Sequence, residues 1–270
     1  MTPVRIALFA DVHGNLPALE AMVHDLRVTK PDLLVCLGDL VDGYGQPREV
    51  VELVRWLNPA AAVLGNAEWR VRDWPGSVAT MRPSQEEIFR WVVDELGPEN
   101  RAYLSGLPTV TLIPPDDQLL AFHGIPEDPF VGIRLPRDEW PLWWSERFPF
   151  MEHDEAIWPG ALELVAANPR TPDWLVCAHT HARMNRTWTG MSGRTLHIVN
   201  PGPLCFGHSL VGGRMDALYA LLDRQPDGWR VTWRDLDYDK KKAADSLGRL
   251  PTITPFMARI ADQLRAEARA

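Results

Sequence analysis

The stretch VRIALFADVHGNLPALEAMVHDLR (residues 4–27) decides the fold. Residues 4–10 are apolar apart from Arg5, the mark of a strand buried on both faces. Asp11, His13 and Gly14 follow at once, and then apolar residues recur at helical spacing over residues 15–27. The same order repeats downstream. LLVCL (33–37) runs into GDLVD (38–42), REVVELVRWL (48–57) reads as a helix, and AAVL (61–64) runs into GNAE (65–68). This βαβαβ order predicts a parallel sheet with right-handed crossovers.

Residues 69–108 and 126–172 have another character. They are helical or irregular, Pro-rich, and hold seven of the twelve tryptophans, including Trp140, Trp143, Trp144 and Trp158. We read them as insertions packed over one end of the sheet. Short strands return at 109–113, 119–122, 174–178, 185–190, 195–199, 216–223 and 229–236, which predicts a second, more antiparallel sheet. TPFMARIADQLRAEARA (254–270) is an amphipathic helix for which Thr254 is a plausible cap.

Composition sets outer bounds. With 270 residues, 46% hydrophobic and 24% charged, the chain has ample core for a folded domain. A formal charge of −8 argues against an extended nucleic-acid surface, while leaving room for a phosphate held at a local cationic centre. Cys36, Cys177 and Cys205 are too few and too widely spaced for a disulfide framework, which fits a reducing cytoplasm. The opening MTPVRIALFAD is too short and too soon interrupted for a signal peptide or a membrane span. The expectation is a cytoplasmic protein with no membrane partner; homo-oligomerisation stays open.

Five strands end in residues that can bind a metal: DVH (11–13), GDLVD (38–42), GNAE (65–68), HG (123–124) and HTH (179–181). In open α/β sheets the loops beyond the carboxyl ends of strands converge on one crevice. Asp11, His13, Asp39, Asn66, His123, His179 and His181 would therefore meet there. Four of the eight histidines fall at these positions, which chance explains poorly. Oxygen and imidazole ligands suit two divalent ions, and with one carboxylate shared each ion has four protein ligands. Two such ions about 3.5–4 Å apart polarise a phosphoryl group and generate a hydroxide for in-line attack.

These strings, in this order, resemble the calcineurin-like metallophosphoesterase family, whose pattern is D-x-H, G-D-x-x-D, G-N-H-E/D, H and G-H-x-H. The resemblance runs over about residues 4–235, and FADVHGNLPALEAM and IVNPGPLCFG are most similar to the small bacterial and archaeal branch. It implies an α/β fold: a four-layer αββα sandwich of two mixed sheets flanked by helices. Residues 1–238 would form the phosphoesterase domain and 239–270 a C-terminal helical extension. It further implies that Asp11, His13 and His181 hold one metal, Asn66, His123 and His179 the other, and that Asp39 bridges them. Manganese is the expected cation, with iron, nickel, zinc or cobalt as alternatives, and a small phosphate ester is the expected substrate.

Two positions depart from the pattern. Ala178 stands for the Gly of G-H-x-H, and Ala67 for the histidine of G-N-H-E. That histidine commonly contacts phosphate and protonates the leaving oxygen, with the neighbouring acid orienting it. Glu68 is then left without the partner it would orient. The absence could be natural to this branch, could be an engineered change, or could be made good by His208 in the FGHS turn. The expected catalytic residues are Asp39, Asn66 and His208, with Asn15, Ala67 and Glu68 beside the substrate. A phosphodiesterase acting on activated esters fits best. The alternatives are a phosphomonoesterase or nucleotide phosphatase, and a non-catalytic scaffold that keeps its metals.

Overall fold

The structure, a computed structural model, describes residues 4–115, 117–126, 128–130, 157–205 and 214–269. Its layering follows from alternation along the strands, since successive side chains point to opposite faces. In β1 (Arg5–Phe9), Ile6 and Leu8 face one core while Ala7 and Phe9 face another. In β2 (Leu33–Cys36), Val35 joins the first set and Leu34 and Cys36 the second. Both faces are apolar, so these strands read as continuous hydrophobic runs.

β1 pairs parallel with β2, and β2 with β3 (Ala61–Ala62). The other edge of this sheet is completed by two late strands, β9 (Ala217–Gln225) and β10 (Gly228–Leu236), giving the order β10-β9-β1-β2-β3. The second sheet has β4 (Val110–Leu112), β5 (Leu119–Phe122), β6 (Trp174–Val176), β7 (Met184–Thr189) and β8 (Thr195–Asn200), in the order β4-β5-β6-β8-β7. Here the expectation of a more antiparallel second sheet needs correction. β5, β6 and β8 are parallel, with antiparallel β4 and β7 at the edges. The long antiparallel hairpin β9–β10 belongs to the first sheet, because Ala217, Tyr219 and Leu221 complete its helix-side core.

Between the sheets lie Ile6, Leu8, Val35, Leu119, Ala121, Val176, Val199, Ala220 and Leu222. Outside the first sheet pack α1 (Leu16–Thr29), α2 (Pro47–Leu57), α3 (Asn66–Arg72), α4 (Pro83–Ser105), α6 (Lys240–Ser246) and α7 (Pro255–Glu267). Outside the second lies α5 (Ile157–Ala167), through Leu162, Val165 and Ala166. The result is an α/β sandwich of two mixed five-stranded sheets flanked by helices.

Local chemistry starts the helices where they start. Asn15 Oδ1 accepts from the Ala18 amide at 3.3 Å, and Thr254 Oγ1 from the Met257 amide at 3.2 Å, each satisfying an otherwise orphaned donor. α1 then buries Leu19 and Met22, and such a side chain contributes about 1.5–3 kcal/mol. Within α4, Ile88, Phe89, Val92 and Val93 join the same core as α1 and α2. Trp140, Trp143 and Trp144 lie outside the described residues. No helix among the described residues is long and apolar enough to cross a membrane.

Candidate metal centre

All the parallel strands of the first sheet end on one side, and their loops are stitched together by backbone amides. Asp11, His13 and Gly14 donate to the carbonyls of Gly38, Asp39 and Leu40 at 2.8–3.0 Å. The Ala178 amide reaches the His123 carbonyl at 2.8 Å in the second sheet. Contact this close between loops requires small residues. A Cβ on Gly38 would sit 2.5 Å from the Gly65 nitrogen, and one on Gly65 only 2.2 Å from Asp39 Oδ1. Asp11, His13, Asp39, His179 and His181 all adopt left-handed backbone, with φ between 48° and 70°. Non-glycine residues avoid that region, and where they occupy it they cluster at functional sites.

This backbone brings together all seven side chains expected from the sequence. His13 Nε2 lies 3.5 Å from Asp39 Oδ2 and 3.2 Å from His181 Nε2. His181 Nε2 is 3.5 Å from Asp11 Oδ1. On the other side of Asp39, His123 Nε2 is 3.4 Å from Oδ2. The Asn66 amide oxygen faces His123 Nε2 at 3.2 Å and His179 Nδ1 at 2.8 Å. Asp39 therefore stands between the two sub-clusters.

The donor set suits cations. The carboxylates of Asp11 and Asp39 are buried, and their ion-pair partners among the described residues are histidines. Neither oxygen of Asp11 accepts a hydrogen bond among the described residues. Such a buried anion needs a positive partner. His123 Nδ1 donates to the Leu37 carbonyl at 2.7 Å, and His13 Nδ1 faces the carbonyls of Val41 and Asp42, which turns both Nε2 lone pairs inward. Turned over, the Asn66 amide would donate to Asp39 Oδ2, His123 and His179; a cation seated among these groups favours the oxygen-inward orientation.

Electrostatics sharpen the division of roles. Burial pushes the Asp11 carboxyl up to about 7, against the pull of His123. Burial also opposes the Asp39 charge, but His123 and His13 outweigh it and hold Asp39 well below the carboxylate range. His123 rises to about 9, because Asp39 and Asp11 overcome its desolvation. Burial, together with His13, lowers His181. One carboxylate thus stays charged at the junction of both clusters.

Three expectations change at this point. Glu68 is not left without a role: it is fully buried, its Oε2 accepts from the amides of Asp39 (2.8 Å) and Gly65 (2.9 Å), and its Oε1 from Leu40 (2.8 Å). It ties two motif loops together. Ala67 is fully buried in the helix-side core, and its amide donates to Asp39 Oδ1 at 2.9 Å. Asn15 is buried as the cap of α1. Neither Ala67 nor Asn15 lines the cavity in front of the centre. His208 lies outside the described residues.

That cavity, of about 830 Å³, is walled by His13, Asp39, Asn66, His179 and His181 on one side. Ile88, Phe130, Ile253, Phe256, Arg70 and Arg82 form much of the remainder. Arg70 is half-buried, its guanidinium 5.6 Å from the Phe89 ring centre and 5.0 Å from that of Phe130, and its Nε has no hydrogen-bond partner among the described residues. Arg70 stands four residues after Asn66, so only its nearness to a motif is visible in the sequence, and no local pattern marks Phe130 or the 252–257 wall. From sequence, Cys205 counts only against a disulfide framework. It follows β8, a sixth strand end, so the rule that found the other five would have reached it.

A family model described as calcineurin-like phosphoesterase matches residues 4–183. The uncharacterized protein MJ0912 of Methanocaldococcus jannaschii is 34% identical over 111 residues, 41% of this chain. That alignment spans 44% of the relative's own length. Among solved structures, a metallophosphoesterase from Sphaerobacter thermophilus is 26% identical, with a TM-score of 0.64 over 97% of this chain and 98% of that one. The hypothetical protein PH1004 of Pyrococcus horikoshii, at 21% identity, shares the fold with a TM-score of 0.71 over 95% and 97% of the two chains.

Proposed function

Because the chain belongs to the calcineurin-like phosphoesterase family, we propose that it hydrolyses phosphodiesters with two divalent metal ions. Asp11, His13 and His181 would hold one ion, Asn66, His123 and His179 the other, and Asp39 both. Bound there, the ions supply Lewis-acid polarisation of the phosphoryl group and easier ionisation of water.

The convergence of seven side chains from five strand ends carries the two-metal reading; a scaffold that keeps its metals would share those ligands, and turnover separates the two. The chain's own groups do the positioning. The Leu37 carbonyl holds the His123 ring, and the carbonyls of Val41 and Asp42 hold His13. Arg70, steadied between two aromatic faces, offers a planar pair of donors to a phosphate entering the cavity. The apolar wall of Ile88, Phe130, Ile253 and Phe256 favours an ester that carries an organic group on each side of phosphorus.

The leaving group is the point of selectivity. Every imidazole among the described cavity residues belongs to the proposed ligand set, and position 67 carries a buried methyl. Lack of a general acid costs about 10²–10⁴ in rate when the leaving oxygen needs a proton. Aryl diesters and phosphoanhydrides, whose leaving groups are already acidic, lose least.

The test compares bis(p-nitrophenyl) phosphate with p-nitrophenyl phosphate, on metal-stripped protein with manganese added back and with Asp39→Asn as control. Faster diester hydrolysis that needs both metal and Asp39 is expected. Preference for the monoester would overturn the diesterase assignment. Tight metal uptake with no hydrolysis would overturn the enzymatic reading.

A further inference from the structure

We propose that Cys205 is a thiolate ligand of the ion held by His13 and His181, making that half of the centre selective for thiophilic cations. The proposal rests on the two-metal reading above and adds a ligand outside its seven. One ring nitrogen of His13, one of His181 and Cys205 Sγ all lie within 4.8 Å of one another. Bonds of about 2.0–2.1 Å to nitrogen and about 2.3 Å to sulfur allow a single ion to reach all three. A second feature marks the same spot. Asp11 Oδ1 is fully buried, accepts no hydrogen bond among the described residues, and lies 3.5 Å from His181 Nε2.

The backbone fixes the sulfur there. After β8 the chain turns at Gly202 (φ 78°), and Asn200 clamps the turn. Asn200 Oδ1 accepts from the Gly202 amide at 2.9 Å, while its Nδ2 donates to the Ala178 carbonyl and to Thr180 Oγ1. The Leu204 and Cys205 amides then donate to the carbonyls of Ala10 and Asp11, at 3.0 and 2.9 Å. Cys205 is thereby held against the loop that carries Asp11, on a turn that Asn200 ties to the loop leading to His181. Cys36 and Cys177 are equally buried, yet neither belongs to a ligand group among the described residues.

On binding, the S–H bond breaks, its proton passes to solvent, and the sulfur lone pair goes to the metal. Thiolate is a soft donor that favours zinc, cobalt or iron over manganese and magnesium. Manganese, the cation expected from sequence, would then be the poorer occupant of this half.

Cobalt tests this without reference to turnover. Metal-stripped protein is titrated with Co²⁺ in the absence of oxygen, alongside Cys205→Ser, Cys205→Ala and the Cys36→Ala/Cys177→Ala double variant. The wild type and the double variant should show a near-ultraviolet sulfur-to-cobalt charge-transfer band. The two Cys205 variants should keep only the visible bands of nitrogen- and oxygen-bound cobalt. Their zinc affinity should also fall by at least about 10–100-fold, the loss seen when even an outer supporting group is removed, and by more than their manganese affinity. Zinc X-ray absorption on the wild type checks the point without mutation, through a sulfur shell at about 2.3 Å. Cobalt bound with no charge-transfer band and no sulfur shell would overturn the thiolate and leave the two-metal reading intact. Failure to bind cobalt or zinc at all would overturn both.

Discussion

Replacing Glu68 with Gln removes one charge and one acceptor from the most constrained point in the site. The carboxylate receives three buried backbone amides, from Asp39, Leu40 and Gly65 at 2.8, 2.8 and 2.9 Å. Glutamine can place its single oxygen where Oε2 sits and keep the amides of Asp39 and Gly65. Each of those bonds then drops from charge-assisted to neutral, a loss of about 1 kcal/mol apiece. The glutamine NH₂ meets the Leu40 N–H, and that buried donor, left unsatisfied, costs about 1–3 kcal/mol. Together these give about 3–5 kcal/mol. Burial, with the Asp39 charge beside it, pushes the Glu68 carboxyl up and offsets part of the charge-assisted gain, so the expected value is about 3–4 kcal/mol. Urea unfolding of metal-stripped wild type and Glu68→Gln, followed by near-ultraviolet circular dichroism, measures it without linkage to metal binding. Metal affinity should drop as well, by about 10–100-fold, because the Asp39 loop loses its tie. A loss no greater than one ordinary hydrogen bond, about 1 kcal/mol, with metal affinity unchanged, would refute the reasoning.

Ala67→His, which restores the family pattern, should destabilise by about 1–3 kcal/mol through overpacking and bring no gain in rate, because Ala67 faces the core. Faster monoester hydrolysis at an unchanged melting temperature would show instead that the imidazole reaches the cavity. Arg70→Ala should lower kcat/KM for an aryl diester by about 10–100-fold, the worth of a charge-assisted hydrogen bond, and Arg70→Lys should recover only part of it. Unchanged kinetics in both variants would remove Arg70 from substrate binding. Asp25 reports pH dependence away from the centre: burial opposes its charge, but hydrogen bonds from Arg234 (2.7 and 2.8 Å) and Tyr219 (2.7 Å) prevail and hold its carboxyl below the ordinary value. A lowered folded value means that the stability is present above the unfolded carboxylate range, about pH 4, and is lost as pH falls through the folded value. The stability gap between wild type and Asp25→Asn should therefore be full at neutral pH and close in acid; a gap independent of pH would contradict this.

The sequence by itself determined which chemistry gathers at the strand ends. Parallel strands finish on a common side, so a polar residue placed straight after each apolar run has one destination, and Asp11, Asp39, Asn66 and the four histidines were legible for that reason. The apolar runs also showed β1 and β2 to be buried on both faces. Tertiary structure alone decided what surrounds those residues. Whether Glu68 orients a ring or ties two loops depends on donors nearly thirty positions away, at Asp39 and Leu40. Ala67 looked like a vacancy in a motif, and it proved to be a packed core position, because burial is a property of neighbours that helix placement supplies. β9 and β10 follow the second sheet in the chain but pair beside β1, where their apolar face completes the helix-side core. Residues 252–257, from the far end of the sequence, wall the cavity for the same reason: α7 buries Ile260, Ala261 and Leu264 against that core, and the chain leading into it has to pass the site. Short-range patterns record what a segment can form; which distant segment it meets is set by the shared burial of apolar faces, a long-range balance that no local string encodes.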